Sequence, residues 1–133
     1  MGSASETMMH GVFGMKKILI VDDEPDVAET MKMLVERDGY QCDYCLDPRA
    51  GLEKMAGYDL LLLDIMMPRM SGRQVLEEMK KRNIQLPVIV VSAVGLPIEV
   101  ASELSKTYPD VDFVAKTEMH TDLIRAIFEK IGK

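Results

Sequence analysis

Cysteine is scarce in this chain: Cys42 and Cys45 are its only two. They read C-x-x-C, but no second pair completes a zinc site, and residues three apart in an extended segment point to opposite faces of a sheet. Two reduced thiols are therefore expected, as in a cytosolic protein, with neither a metal knuckle nor a disulfide framework. Positive charge is also short, with 16 Lys and Arg against 22 Asp and Glu and a formal net charge of −6. That balance argues against a direct nucleic-acid role, which needs basic residues facing phosphates, and suits cations and basic partners. No apolar run approaches the ~20 residues that span a bilayer, so membrane insertion is not expected. What remains is 47% apolar and 29% charged, an ordinary soluble mixture, over 133 residues. That length matches one domain with one core.

Residues 1–14 (MGSASETMMHGVFG) lack both hydrophobic periodicity and the basic-then-apolar pattern of a signal peptide. They read as a disordered leader of the kind cloning introduces, and His10 within them carries no functional weight. The folded domain is expected over 15–133.

From Lys16 onward, short apolar runs alternate with amphipathic stretches, the pattern of an α/β protein with a parallel sheet. Ile18 to Val21 and Pro87 to Val91 are β-branched runs suited to strands covered on both faces. Leu60 to Leu63 alone could be helix or strand, but its brevity and the flanking Gly57 and Pro68 favour a buried strand. Gln41 to Leu46 alternates polar and apolar as a half-exposed edge strand does, and Val111 to Ala115 makes a fifth strand. Between them, Pro25 opens a helix with Val27, Met31, Leu34 and Val35 at helical spacing, which Gly39 closes. Asp47-Pro48 caps a second helix running to about Ala56, with Gly57 at its end. A third, after Pro68 and Gly72, carries Val75, Leu76 and Met79 and ends near Asn83. Pro97 opens a fourth with Ile98, Ala101 and Leu104 inward; its apolar stripe is the weakest of the set, so it is expected to be the most mobile. Leu123, Ile124, Ile127, Phe128 and Ile131 form the stripe of the fifth. Five strand-helix units account for the chain.

Ligands of open parallel sheets bind beyond the carboxyl ends of the strands. There the sequence places Asp22 and Asp23 after strand one, Asp64 after strand three, Ser92 at the end of strand four and Lys116 after strand five. Carboxylates ~4 to 5 Å apart repel by roughly 3 to 4 kcal/mol at an effective dielectric of ~20, so such a cluster calls for a cation. Mg²⁺ (or Mn²⁺) suits oxygen donors and is commonly held by one or two carboxylates plus phosphate oxygens. Asp23 and Asp64 are the direct-ligand candidates, with Asp22 direct or through water. A carboxylate ionised at neutral pH can attack phosphorus without a general base. The Lys116 ammonium and Ser92 hydroxyl fit the binding of the remaining phosphoryl oxygens.

These residues carry a family resemblance. The run Ile18-Leu-Ile-Val-Asp22-Asp23-Glu24, the stretch Leu61-Leu-Leu-Asp64-Ile-Met-Met-Pro68-Arg-Met-Ser-Gly72, the pair Ser92-Ala93 and Lys116 closely resemble bacterial two-component response-regulator receiver domains of the chemotaxis-receiver kind. The resemblance runs from Lys16 nearly to the end. It implies a doubly wound, flavodoxin-like (βα)5 fold with strand order 2-1-3-4-5, and a phosphoryl group taken onto Asp64 from a sensor histidine kinase or phosphotransfer protein. It also implies that the chain is not a conventional enzyme, since a receiver catalyses its own phosphorylation and dephosphorylation. The Met66 backbone carbonyl corresponds to a third protein ligand of the metal. Ser92 and Phe113 correspond to switch residues, and Ala93 to the small residue that leaves the phosphate accessible. A downstream protein target would be met through helix four, strand five and helix five, with homodimerisation on phosphorylation as a further family behaviour, all in the cytoplasm.

One departure stands out: such receivers usually have Pro, joined by a cis bond, directly after the Lys, and this chain has Thr117. A cis bond before Thr would cost ~2.5 to 4 kcal/mol, so a trans bond and a different loop are expected. Taken singly, the acids read as helix caps, Ser92 as a turn hydroxyl, Lys116 and His120 as surface groups and Phe113 as core; the joint arrangement favours a site. Met66, Met67 and Met70 beside Asp64 suggest a soft docking rim. Two other classes compete with this reading: a degenerate receiver acting only as a scaffold, motivated by Thr117 and the weak fourth helix, and a metabolic enzyme on a similar fold. For the enzyme, the adjacent Asp22-Asp23 is not the D-x-D of a haloacid-dehalogenase-type phosphatase, and a flavodoxin phosphate loop is missing.

Overall fold

The computed structural model describes residues 14–93 and 96–133; the expected leader, His10 included, otherwise lies outside them. Five strands, β1 (Lys17–Val21), β2 (Gln41–Cys45), β3 (Leu60–Leu63), β4 (Val88–Ser92) and β5 (Asp112–Ala115), alternate with five helices. These are α1 (Pro25–Arg37), α2 (Pro48–Lys54), α3 (Gly72–Lys81), α4 (Ile98–Thr107) and α5 (Met119–Ile131). The strands pair in parallel in the order β2-β1-β3-β4-β5. The sheet is thus the doubly wound one expected, with β1 and β3 side by side at its centre.

Strand alternation sorts the core into two layers. Ile18, Ile20, Leu60, Leu62, Ile89 and Val91 face α1 and α5, where Ala28, Met31, Leu34, Leu123 and Ile127 meet them. Leu19, Val21, Leu61, Leu63, Val88 and Val90 face the other way, onto Leu52 of α2, Val75, Leu76 and Met79 of α3 and Leu104 of α4. Because both faces are covered, β3 and β4 are buried along their whole length, as their unbroken apolar runs require. Edge strand β2 instead alternates: Cys42 lies in the first layer and Cys45 packs against the second. The two thiols are free and on opposite faces, and burial pushes Cys42 up to about 12, which leaves it without thiolate character.

Some expectations need correction. Ile98 is 78% exposed and Phe128 55% exposed, so neither is core. In α4 the inward row is Val100 and Leu104, continued backward by Leu96, with Ala101 half-buried at its flank. In α5, Met119, Leu123 and Ile127 follow a strict four-residue spacing that turns Phe128 outward. Helix α2 stops at Lys54, short of Ala56, and Gly57 takes a left-handed φ of +90° in the turn beyond. Met67 and Met70 are buried in the second layer, leaving only Met66 exposed, so the three do not form a rim.

Candidate functional site

The backbone ladder brings the acids together. Asp22 N donates to Cys45 O (3.2 Å) and Asp64 N donates to Val21 O (3.0 Å), so both acids sit one residue past paired strand ends. Each side chain then folds back on its own turn: Asp22 Oδ1 accepts from Glu24 N (2.9 Å) and Asp64 Oδ1 from Met66 N (3.2 Å). The loop after Asp64 is held by the start of α3. Gly72 N donates to Ile65 O (3.0 Å), and a Cβ at Gly72 would lie 2.6 Å from Ile65 Cα, so only glycine permits the approach. Ser71 and Gln74 complete that corner with a reciprocal cap on α3.

One carboxylate oxygen from each of Asp22, Asp23 and Asp64 lies within 4.8 Å of the others. Asp22 is fully buried, Asp64 is 3% exposed and Asp23 is half-exposed. Lys116 Nζ enters from β5, 3.1 Å from Asp22 Oδ2 and 3.3 Å from Asp64 Oδ2. Ser92 is buried at the end of β4, beside Ala115, the residue before Lys116. Ala93 next to it is exposed, and Met66 is exposed at the mouth. Phe113 is half-buried, pairs with Val90 and leans on the second layer. No described peptide bond is cis, the Lys116–Thr117 bond included, and a 3-10 turn over Lys116–Glu118 leads straight into α5. His120 is exposed.

The electrostatics are those of a site short of cations. Burial, and then repulsion from Asp22, lift the Asp64 carboxyl to about 6 against the pull of Lys116. Burial likewise raises Asp22. Burial opposes the charge on Lys116, but Glu24, Asp22 and Asp64 together outweigh it and hold the ammonium above its ordinary value. Asp22 Oδ2, buried, makes an ion pair with Lys116 but no well-formed hydrogen bond. An unsatisfied oxygen in an all-carboxylate donor set fits a hard divalent ion.

One contact went unread in the sequence: Glu24 Oε1 lies 2.8 Å from Lys116 Nζ, the shortest of the three carboxylate contacts to that ammonium. The Asp-Asp-Glu run holds the only hint of it, because 92 residues separate the partners.

Comparison with known proteins agrees with this geometry. The family model "Response regulator receiver domain" matches residues 18–128. The chain is 31% identical over 129 residues to the transcriptional regulatory protein DltR of Streptococcus agalactiae, covering 87% of this chain and 58% of that protein. To the sensory transduction protein RegX3 of Mycobacterium tuberculosis it is 31% identical over 128 residues, 89% of this chain and 53% of that one. The chain spans little more than half the length of these relatives. Among solved structures, response regulator TrrA of Thermotoga maritima, determined in complex with Mg²⁺ and BeF, superposes with a TM-score of 0.74 at 31% identity, over 87% of this chain and 99% of that one. A CheY-like receiver domain protein of Methanospirillum hungatei gives 0.77 at 28% identity, over 88% and 94%. With sheet order, acid cluster and sequence all in agreement, this chain belongs to the response regulator receiver domain family of two-component signalling systems.

Proposed function

We propose that Asp64 accepts a phosphoryl group from a phosphohistidine of a sensor kinase or phosphotransfer protein, in a reaction that depends on Mg²⁺ or Mn²⁺. The observation that carries this reading is the convergence of Asp22, Asp23 and Asp64 oxygens within 4.8 Å, with Lys116 against the Asp64 carboxylate. Asp22, Asp23, Asp64 and the Met66 carbonyl would hold the ion. Once bound, it would supply positive charge that screens nucleophile from donor and stabilises the equatorial phosphoryl oxygens. An Asp64 oxygen attacks phosphorus, the bond from phosphorus to the donor nitrogen breaks, and the electron pair leaves with the imidazole, which is reprotonated. Because Asp64 titrates near 6 it is largely ionised at neutral pH, and no general base is needed. Lys116 and Ser92 donate to the phosphoryl oxygens, and exposed Ala93 leaves room for water in the later hydrolysis.

The added charge would draw Ser92 toward the phosphoryl group and let half-buried Phe113 move inward, altering the α4-β5-α5 face for a downstream protein or a second copy. The working unit is the domain over 15–133, a cytoplasmic protein that is its own catalyst and turns over no separate substrate. Among the described residues no helix is long and apolar enough to cross a membrane. The test is incubation with acetyl phosphate and Mg²⁺ followed by intact-mass measurement. One added phosphoryl group, absent in Asp64→Asn, is expected. No adduct would leave a protein-binding scaffold, the reading that Thr117 motivates; an adduct unchanged in Asp64→Asn would place the acceptor elsewhere.

A further inference from the structure

We propose that Glu24 is a positioning residue for Lys116: its carboxylate tethers the ammonium at the rim of the site, and this tether must be released before Lys116 can turn fully to a phosphoryl group on Asp64. The inference rests on the phosphoacceptor reading of Asp64 and adds to it a residue that reading leaves unused.

Glu24 occupies the N-cap position of α1, where the short side chains of Ser, Thr, Asp and Asn accept from the helix's own free N–H groups. Glu24 does not; no side-chain cap bond forms, and the carboxylate reaches across to Lys116 Nζ at 2.8 Å. Its backbone is fixed on both sides, N donating to Asp22 Oδ1 (2.9 Å) and O accepting from Ala28 N (3.0 Å). Only the side chain is free to move. Lys116 faces three carboxylates, through a hydrogen bond to Glu24 and ion pairs to Asp22 and Asp64. A phosphoryl group that recruits Lys116 competes with these contacts for the ammonium.

Exposure decides which one yields. Asp22 is shut from solvent, so no water can replace the ammonium there, whereas the Glu24 side chain is 59% exposed and water can replace what it gives up. Glu24 is thus the exchangeable partner, and the phosphorylated state is disfavoured by what this exposed ion pair is worth. Exposed pairs translate to about two- to fivefold in an equilibrium constant.

The test uses the full chain at saturating Mg²⁺, with beryllofluoride as phosphoryl analogue and fluorine NMR of the bound species as readout. Glu24→Gln removes the charge; Glu24→Asp keeps the charge but shortens the reach by one methylene. Both are expected to bind beryllofluoride about two- to fivefold more tightly than the unaltered protein. A gain of this kind is not produced by damage to the fold. Equal or weaker binding by the variants, or a gain in Glu24→Gln alone, which would mark a general charge effect, overturns the tether. Failure of the unaltered protein to bind the analogue at all would instead refute the phosphoacceptor reading, and the tether with it.

Discussion

Replacing Asp64 by Asn should stabilise this protein when no metal is present. Asp64 is 3% exposed and its carboxyl titrates at about 6 in the folded chain, against 3.8 for the unperturbed group. The folded state therefore holds the Asp64 proton more tightly than the unfolded state. Below pH 3.8 both states are protonated and the group is neutral with respect to folding; as pH rises through the window up to about 6 the folded state loses stability relative to the unfolded one. At ~1.36 kcal/mol per pH unit, the penalty complete above that window is about 3 kcal/mol. Asparagine has no proton to lose and can still accept from Met66 N, so it should recover most of that amount at pH 8. Urea unfolding of both proteins in EDTA at pH 8, 6 and 4 measures the gap, which should shrink on acidification. Mg²⁺ should also narrow it, since a ligand that binds only the folded state stabilises the unaltered protein by mass action. An Asp64→Asn protein no more stable than the unaltered one at pH 8 in EDTA, or one whose advantage persists at pH 4, would refute the reasoning.

Removing the cation should act in the opposite direction. Lys116→Met leaves Asp22 and Asp64 buried without their ammonium, and a loss of about 3 kcal/mol or more in metal-free unfolding experiments is expected, larger than the loss with Mg²⁺ present. Gly72→Ala forces a Cβ against the Ile65 backbone and should cost about 1 to 3 kcal/mol by thermal or urea unfolding, with weaker Mg²⁺ binding because the Asp64 loop moves. Hydrogen exchange should open α4 before α5, since α4 buries only Leu104 whereas α5 buries Met119, Leu123 and Ile127. Thiol labelling of the native protein should modify half-exposed Cys45 well before Cys42, whose thiol is buried and held protonated.

Much of this molecule could be read from residue order alone. The runs Ile18 to Val21, Leu60 to Leu63 and Val88 to Val91 announce strands buried on both faces, because only a layer covered twice tolerates unbroken apolar residues. Prolines, glycines and Asp47 mark where helices start and stop to within a few residues, since those are properties of the local backbone. The acids at the strand ends were legible for the same reason: a parallel sheet sends every carboxyl end to one edge.

Other features needed the packed molecule. Ile98 and Phe128 are as apolar as their neighbours, and only the choice of which helix face packs on the sheet puts Leu104 and Ile127 inward and those two residues out. Met67 and Met70 beside Asp64 look like surface in a string of turn residues, yet the close seat of Gly72 on Ile65 draws them into the second layer. The ion pair between Glu24 and Lys116 joins groups 92 residues apart, and the lift of Asp64 to about 6 depends on how deeply β1 and β3 bury two like charges side by side. Residue order determined which groups arrive at the sheet edge; distance and burial, which exist only in three dimensions, decided how strongly each acts on the next.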